Sequence, residues 1–293
     1  MENRKFTIVT DSGSDMPESY FEKHGVECLH LGFTMDNVNY WGEDGERMDA
    51  KEFYKRLRAG AMPSTYQVSA ETVKAHLTPY LQAGKDVFCL SFSSGLSGTY
   101  SGYVVAAREL QEAYPDRKIA VVDSLCASMG QGLLLDYIVR KADEGATIEE
   151  TTAYAEALKG KIVHNFTVDN LFHLKRGGRV SSGTAIVGTI LKIKPVMHVN
   201  DEGKLVVIGK PMGRKKALLT LLENVAKTAD FGKEDKIFIS HGDCLADAEA
   251  LKEALSKQYE GVEIVIGDIG PVIGTHSGAG TLAVFNIGKT REV

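Results

Sequence analysis

Val87-Phe88-Cys89-Leu90-Ser91-Phe92-Ser93-Ser94-Gly95-Leu96-Ser97-Gly98-Thr99 is the stretch on which the fold turns. Val87 to Phe92 is mainly apolar and reads as a buried strand. The run opens into small and hydroxylated residues, and a helix rich in small side chains follows to about Tyr114. Glycines let backbone approach a ligand, hydroxyls donate hydrogen bonds, and a helix start adds free amides at its positive dipole end. Such a loop suits a carboxylate or a phosphate. Its serines equally suit a plain helix cap, and chemistry alone leaves both readings standing. The loop lacks the lysine of a P-loop, which disfavours nucleotide binding.

The same rhythm recurs on both sides. Phe6–Val9 ends in Thr10-Asp11-Ser12-Gly13-Ser14-Asp15, with Pro17 placed for the first turn of a helix. Ile119–Val122 ends in Asp123-Ser124, followed by helices from about Met129 to Glu144 and from a Thr147/Glu150 cap. Asp49 with Glu52, and Ser69, mark two further helix starts, with Ala61 to Val68 as a loop between them. Strand, polar loop and helix in repetition predict a parallel α/β sheet. Ligands collect at the carboxyl ends of such strands. Three of those ends carry serine, at Ser12, at Ser93 and Ser94, and at Ser124.

Near residue 160 the pattern changes. Ile162–Val168 reads as a strand, then come a short helix ending at Gly177-Gly178 and an apolar helix over about Thr184 to Leu191. Val196–Val199 and Leu205–Ile208 flank Asn200-Asp201-Glu202-Gly203, which is hairpin chemistry and implies antiparallel pairing. A helix from Arg214 to Thr228, a strand at Ile237–Ser240, a helix from Leu245 to Tyr259 and a strand at Val262–Ile266 follow. A glycine-rich stretch from Gly270 to Gly280 then leads into an apolar strand ending at Ile287. The expected organisation is α/β with two domains. An N-terminal domain (1–160) has a parallel sheet, and a C-terminal domain (161–293) has a largely antiparallel or mixed sheet.

Bulk properties narrow the function. With 293 residues, 43% of them hydrophobic and 25% charged, the chain fits two ordinary globular domains. A formal net charge of −5 disfavours nucleic acid as the main partner. The N-terminus has no apolar segment of signal-peptide length, and no stretch approaches the roughly 20 apolar residues of a membrane span. A cytoplasmic protein with no stable membrane insertion is expected. Cys28, Cys89, Cys126 and Cys244 are scattered without a C-x-x-C pair, so free thiols are expected. No histidines pair at metal-ligand spacing, so neither metal nor cofactor is expected.

Individual residues carry less. Thr65, within Pro63-Ser64-Thr65-Tyr66-Gln67, reads alone as a turn or cap residue. His276 lies in the glycine-rich stretch and His241 at a strand end, and both are candidates. Arg214-Lys215-Lys216 reads as a solvated helix face that also suits a partner or a ligand's acid end. A serine-dependent hydrolase is a rival, but no strand-end serine sits in a G-x-S-x-G elbow. An anion-responsive regulatory protein is a third reading.

A set of motifs covers almost the whole chain: Ile8–Asp15, Pro63–Gln67, Ser93–Tyr100, Asp123-Ser124, Leu174–Val180, Leu191–Pro195, Arg214–Ala217 and Gly274–Gly278. In order and spacing they resemble the DegV family, including its fatty-acid-binding members that supply substrate to a fatty acid kinase. The resemblance implies two α/β domains enclosing a long-chain fatty acid mainly in one of them, with its carboxylate near their interface. It implies that Thr65, Ser93, Ser94 and His276 lie around that carboxylate, with Ser12, Ser124 and Arg214 as additional candidates. It also implies a non-catalytic carrier in phospholipid metabolism, with a separate ATP-dependent kinase as partner. Two departures stand out. Tyr66 and Val68 break the family's usual T-S-Q-P-S, and Met212 replaces an arginine that the family often carries.

Overall fold

The computed structural model describes residues 4–42, 45–181, 192–232 and 235–293. Four parallel strands form the first sheet: β1 (Phe6–Asp11), β2 (Val26–Leu29), β6 (Asp86–Ser91) and β7 (Ile119–Asp123), in the order β2-β1-β6-β7. β3 (Gly32–Met35), β4 (Val38–Trp41) and β5 (Ser64–Tyr66) make a small antiparallel sheet beside it. The third sheet holds β8 (Ile162–Thr167), β9 (Val196–Val199), β10 (Leu205–Gly209), β11 (Lys236–His241), β12 (Glu263–Asp268) and β13 (Leu282–Ile287). Its order is β10-β9-β8-β13-β11-β12, antiparallel except between β11 and β12. The α/β class, the parallel first sheet and the mixed second-half sheet all match the reading of the sequence.

Ten helices connect the described strands: α1 (Glu18–His24), α2 (Ala50–Arg58), α3 (Ala70–Gln82), α4 (Thr99–Ala113), α5 (Met129–Asp143), α6 (Ile148–Lys159), α7 (Phe172–Arg176), α8 (Arg214–Thr228), α9 (Leu245–Gln258) and α10 (Pro271–Ser277). Their starts obey the expected local chemistry. Asp49 and Ser69 accept from the amides of Glu52 and Thr72, and Thr147 with Glu150 completes a capping box.

α5 ties the two halves together. Twelve of its 15 residues are buried, because it packs against α6 on one side and β8, β11 and β13 on the other. Leu133, Leu134 and Ile138 share one apolar cluster with Ile8 and Phe88 of the first sheet and Phe166, Phe238 and Phe285 of the third. Burying side chains of this size stabilises by about 1.5–3 kcal/mol each, so this helix is a main adhesive between the sheets.

Two segments depart from the sequence reading. Residues 61–68, read as a loop, contain β5, whose Thr65 pairs with Phe33 of β3. A three-residue strand of Ser-Thr-Tyr has no alternation of its own, and only a distant partner makes it a strand. The glycine-rich run of 270–280 contains α10, started by Pro271 and closed at Gly278 with φ 82. The helix expected over Thr184 to Leu191 lies outside the described residues.

Candidate functional site

The carboxyl edge of the first sheet is where its serine-bearing loops meet. Asp11 Oδ2 accepts from the Phe92 amide at 2.8 Å, and its Oδ1 accepts from the Gly13 amide at 3.0 Å. Burial pushes the Asp11 carboxyl up to about 6. Asp123 Oδ1 accepts from the Ser94 amide at 3.1 Å, and the Ser93 amide donates to the Cys126 carbonyl at 3.1 Å. The loops are thereby tied to one another.

The serine hydroxyls are largely committed to this framework. Ser93, fully buried, donates to the Gly203 carbonyl at 2.8 Å and so fastens the loop to the β9–β10 turn. Ser124 accepts from the Cys126 amide, and Ser12 accepts from the Leu31 amide. Ser94 is exposed. Arg214 is paired with Asp247 at 2.8 Å, at the start of α8. None of these five is among the residues that line the main cavity.

That cavity, about 770 Å³ counted with its open mouth, adjoins the third sheet. Phe166, Val199, Leu205, Ala283 and Phe285 give it a floor from β8, β9, β10 and β13. Val272, Ile273, His276 and Ser277 of α10, with Leu96 and Ser97 of the serine loop, complete much of the wall. The lining is overwhelmingly apolar, with a few polar groups on the wall, as in small-molecule sites.

Thr65 and His276 meet on its wall. β5 presents the Thr65 hydroxyl 2.8 Å from His276 Nε2, and which atom donates depends on the imidazole tautomer. Burial, then Arg179 and Arg176, push His276 down to about 3, so the ring is neutral near pH 7. A Cβ on Gly177 would stand 2.1 Å from His276 Nδ1, so the missing side chain lets the ring sit against α7. Arg176 Nη2 donates to the Pro63 carbonyl at 2.6 Å and contacts the Thr275 carbonyl at 3.4 Å, which clamps β5 to α10.

Arg179 is a cation on the same wall, its Nε bonded to the Leu96 carbonyl at 3.1 Å. Burial lowers its pKa, yet a guanidinium stays charged near neutrality. Sequence reasoning assigned roles to neither Arg176 nor Arg179. Both lie in Leu174–Val180, the polar, glycine-containing segment that closes α7.

Two polar residues sit deeper among apolar neighbours. His164 is fixed on both sides, its Nδ1 3.1 Å from the Ile162 carbonyl and its Nε2 accepting from the Ala127 amide at 3.2 Å. Ser128, with φ 53 and ψ −148, bonds Asp15 Oδ2 at 2.5 Å and Ser240 at 3.0 Å. Desolvation pushes Asp15 up to about 7. This chain of hydrogen bonds links the β1 loop, the start of α5 and β11. Met212 is 58% exposed and does not line the cavity, and Tyr66 leans its ring over Gly32 at the surface.

A model of the family described as "Uncharacterised protein, DegV family" matches residues 5–289. The chain belongs to the DegV family. A DegV domain-containing protein of Clostridium perfringens is 43% identical over 289 residues, covering 99% of each chain. Among solved structures, a DegV family protein from Thermus thermophilus, described by its fatty acid binding, superposes with a TM-score of 0.87 at 30% identity, over 97% of this chain and 99% of that one. A DegV lipid-binding protein from Thermotoga maritima gives a TM-score of 0.83 at 32% identity, over 98% and 100% of the two chains. The DegV fold, with its parallel and mixed sheets, is therefore the architecture of this chain.

Proposed function

We propose that this DegV protein is a non-catalytic cytoplasmic carrier that holds a long-chain fatty acid and presents its carboxylate to a partner fatty acid kinase. The acyl chain lies in the apolar cavity, enclosed mainly by residues of the C-terminal part (161–293). The carboxylate lies where the N-terminal part (1–160) meets it, at Thr65, His276 and Arg179.

The observation that carries this reading is the combination on one wall of a threonine–histidine pair and an arginine, in an otherwise apolar cavity. A buried carboxylate needs hydrogen bonds and a counter-charge. With His276 Nε2–H donating to Thr65, the Thr65 hydroxyl is left to donate to the carboxylate, a charge-assisted bond contributing about 1.5–3 kcal/mol. Arg179 supplies the charge. The chain contributes about 0.8 kcal/mol per buried CH₂, so the tail dominates affinity and the polar wall sets orientation. Fatty acid binding by the Thermus relative fits the same division of labour.

Ser93 and Ser94 act through the loop. The Ser93 hydroxyl serves Gly203, and this holds the loop bearing Leu96 and Ser97 against the cavity. Presentation to a kinase rests on the resemblance of the motifs to kinase-serving members of the family.

Displacement of a fluorescent fatty acid by palmitate or oleate tests the carrier reading, with hexadecane as control. Competition by both acids supports it. Failure of both acids to compete, with no gain in thermal stability, overturns it. Adding the kinase and ATP, and trapping acyl phosphate with hydroxylamine, tests the partner. Hydroxamate formed only when the carrier is present is the expected result.

A further inference from the structure

The β9–β10 hairpin closes one side of the cavity with its tip. β10 is an edge strand that pairs with β9 alone among the described strands, and its register shifts between Val207 and Gly209. β9 pairs with β8 only as far as His198, so Val199, the turn 200–204 and Leu205 run on past that support. Val199 and Leu205 line the cavity. Two side chains fasten this tip to the N-terminal part. Ser93 donates to the Gly203 carbonyl at 2.8 Å, and Arg291 donates to the Asn200 carbonyl at 3.4 Å. The fit is close: a Cβ on Gly203, whose φ is +72, would stand 2.1 Å from Ser93 Oγ and 3.1 Å from Leu125 Cδ2.

Arg291, in the segment after β13, is only 1% exposed and is the largest fully buried side chain described. Its guanidinium reaches three places at once. It donates to the Lys159 carbonyl at the end of α6, to the Ser124 and Leu125 carbonyls of the β7–α5 loop, and to Asn200 on the hairpin turn. The same loop carries Ala127 and Ser128 to the cavity wall. Arg291 therefore bridges a seam, with Ala127 and Ser128 behind one rim and Val199 and Leu205 behind the other. Burying a guanidinium costs hydration, and neutral carbonyls repay less of that cost than a carboxylate, so the bonds hold the seam while leaving its release accessible. A hairpin at a sheet edge, with a register shift at its base, bends more readily than the strands behind it. We infer that the hairpin tip is a movable flap of the cavity and that Arg291 is the pin that sets how often it opens, and so how fast the ligand enters and leaves. This deepens the carrier reading and rests on it.

The test is stopped-flow kinetics on the full-length protein stripped of lipid, with a fluorescent fatty acid as probe. Mixing gives the association rate, and excess palmitate chases the probe off to give the dissociation rate. In Arg291→Gln both rates rise by roughly ten-fold, the scale of one lost charged hydrogen bond, while Kd stays within about three-fold. The two rates move together because a pin sets a barrier and does not touch the ligand. Hydrogen exchange of the amides over 199–205 speeds up in the same variant, while exchange over α3, which packs in a different apolar cluster, does not. Arg291→Lys, which keeps the charge with fewer donors, falls between, and it decides by the same criteria if Arg291→Gln does not fold. Unchanged rates overturn the inference. So does faster dissociation without faster association, which is lost affinity, and so does exchange that rises equally over α3, which is general loosening. If fatty acid binds and the rates do not move, the inference fails and the carrier reading stands. If no fatty acid binds, both fail together.

Discussion

The Thr65 hydroxyl and His276 Nε2 lie 2.8 Å apart across 211 positions of sequence. One is carried by a three-residue strand and the other by a seven-residue helix, and Arg176 holds the two elements together through the Pro63 and Thr275 carbonyls. Thr65→Val keeps the shape of the side chain and removes the hydrogen bond. Its expected effect is a roughly 5–50-fold loss of palmitate affinity, the scale of one unpaired buried group. Thr65→Ser restores most of it. Displacement titration of the variants checks this, and full affinity in Thr65→Val would remove the pair from the binding site.

Arg179 is assigned a charge role, and charge has its own signature. Arg179→Gln weakens palmitate by roughly 10–100-fold, because a charged hydrogen bond is lost. Hexadecanol, which has the same tail and no charge, loses less than about three-fold. Parallel titrations with the two ligands check the split. Equal losses for acid and alcohol would make Arg179 a packing residue.

Ser93→Ala acts on stability first. It leaves the Gly203 carbonyl without the partner seen at 2.8 Å and costs about 1–3 kcal/mol. A fall in melting temperature of several degrees is expected for a chain of this size. Ligand affinity changes by only a few-fold. Unchanged stability with a large loss of affinity would show that the Ser93 hydroxyl faces the ligand.

Asp15 gives the pH dependence a direction. Its carboxyl is raised from 3.8 to about 7, chiefly by desolvation. Between those values the folded state holds a proton that the unfolded state has released, so this group's stabilising contribution is lost as pH rises through about 7. Asp15→Asn can bond Ser128 and Gly270 without a charge. The melting temperature of Asp15→Asn relative to the unsubstituted protein should therefore rise between pH 5 and pH 8. A difference that stays flat, or falls, would contradict the assignment.

The parts of this architecture legible in the sequence are those set by local pattern. Val87 to Thr99 announced a strand, a loop and a helix because apolar run, glycine and hydroxyl follow one another within a few residues. The Thr147/Glu150 box and the β9–β10 hairpin were legible for the same reason. β5 and α10 were not. Ser64–Tyr66 becomes a strand only by pairing with β3, and a run of glycines around Pro271 looks like a loop until the rest of the fold packs against it. The site follows that division. Resemblance to a family brought forward Thr65 and His276, whereas Arg179 emerges only when the cavity wall is assembled. Serines alike in sequence then separate by what each hydroxyl touches: Ser93 serves a turn, and Ser12 holds the Leu31 amide.

The most direct test of the carrier assignment is native mass spectrometry of the protein purified from a bacterial host without added lipid. The account predicts a species carrying one long-chain fatty acid per chain, released on denaturation and diminished in a Thr65→Val, Arg179→Gln double variant. A ligand-free spectrum, together with no thermal stabilisation by palmitate or oleate, would contradict it.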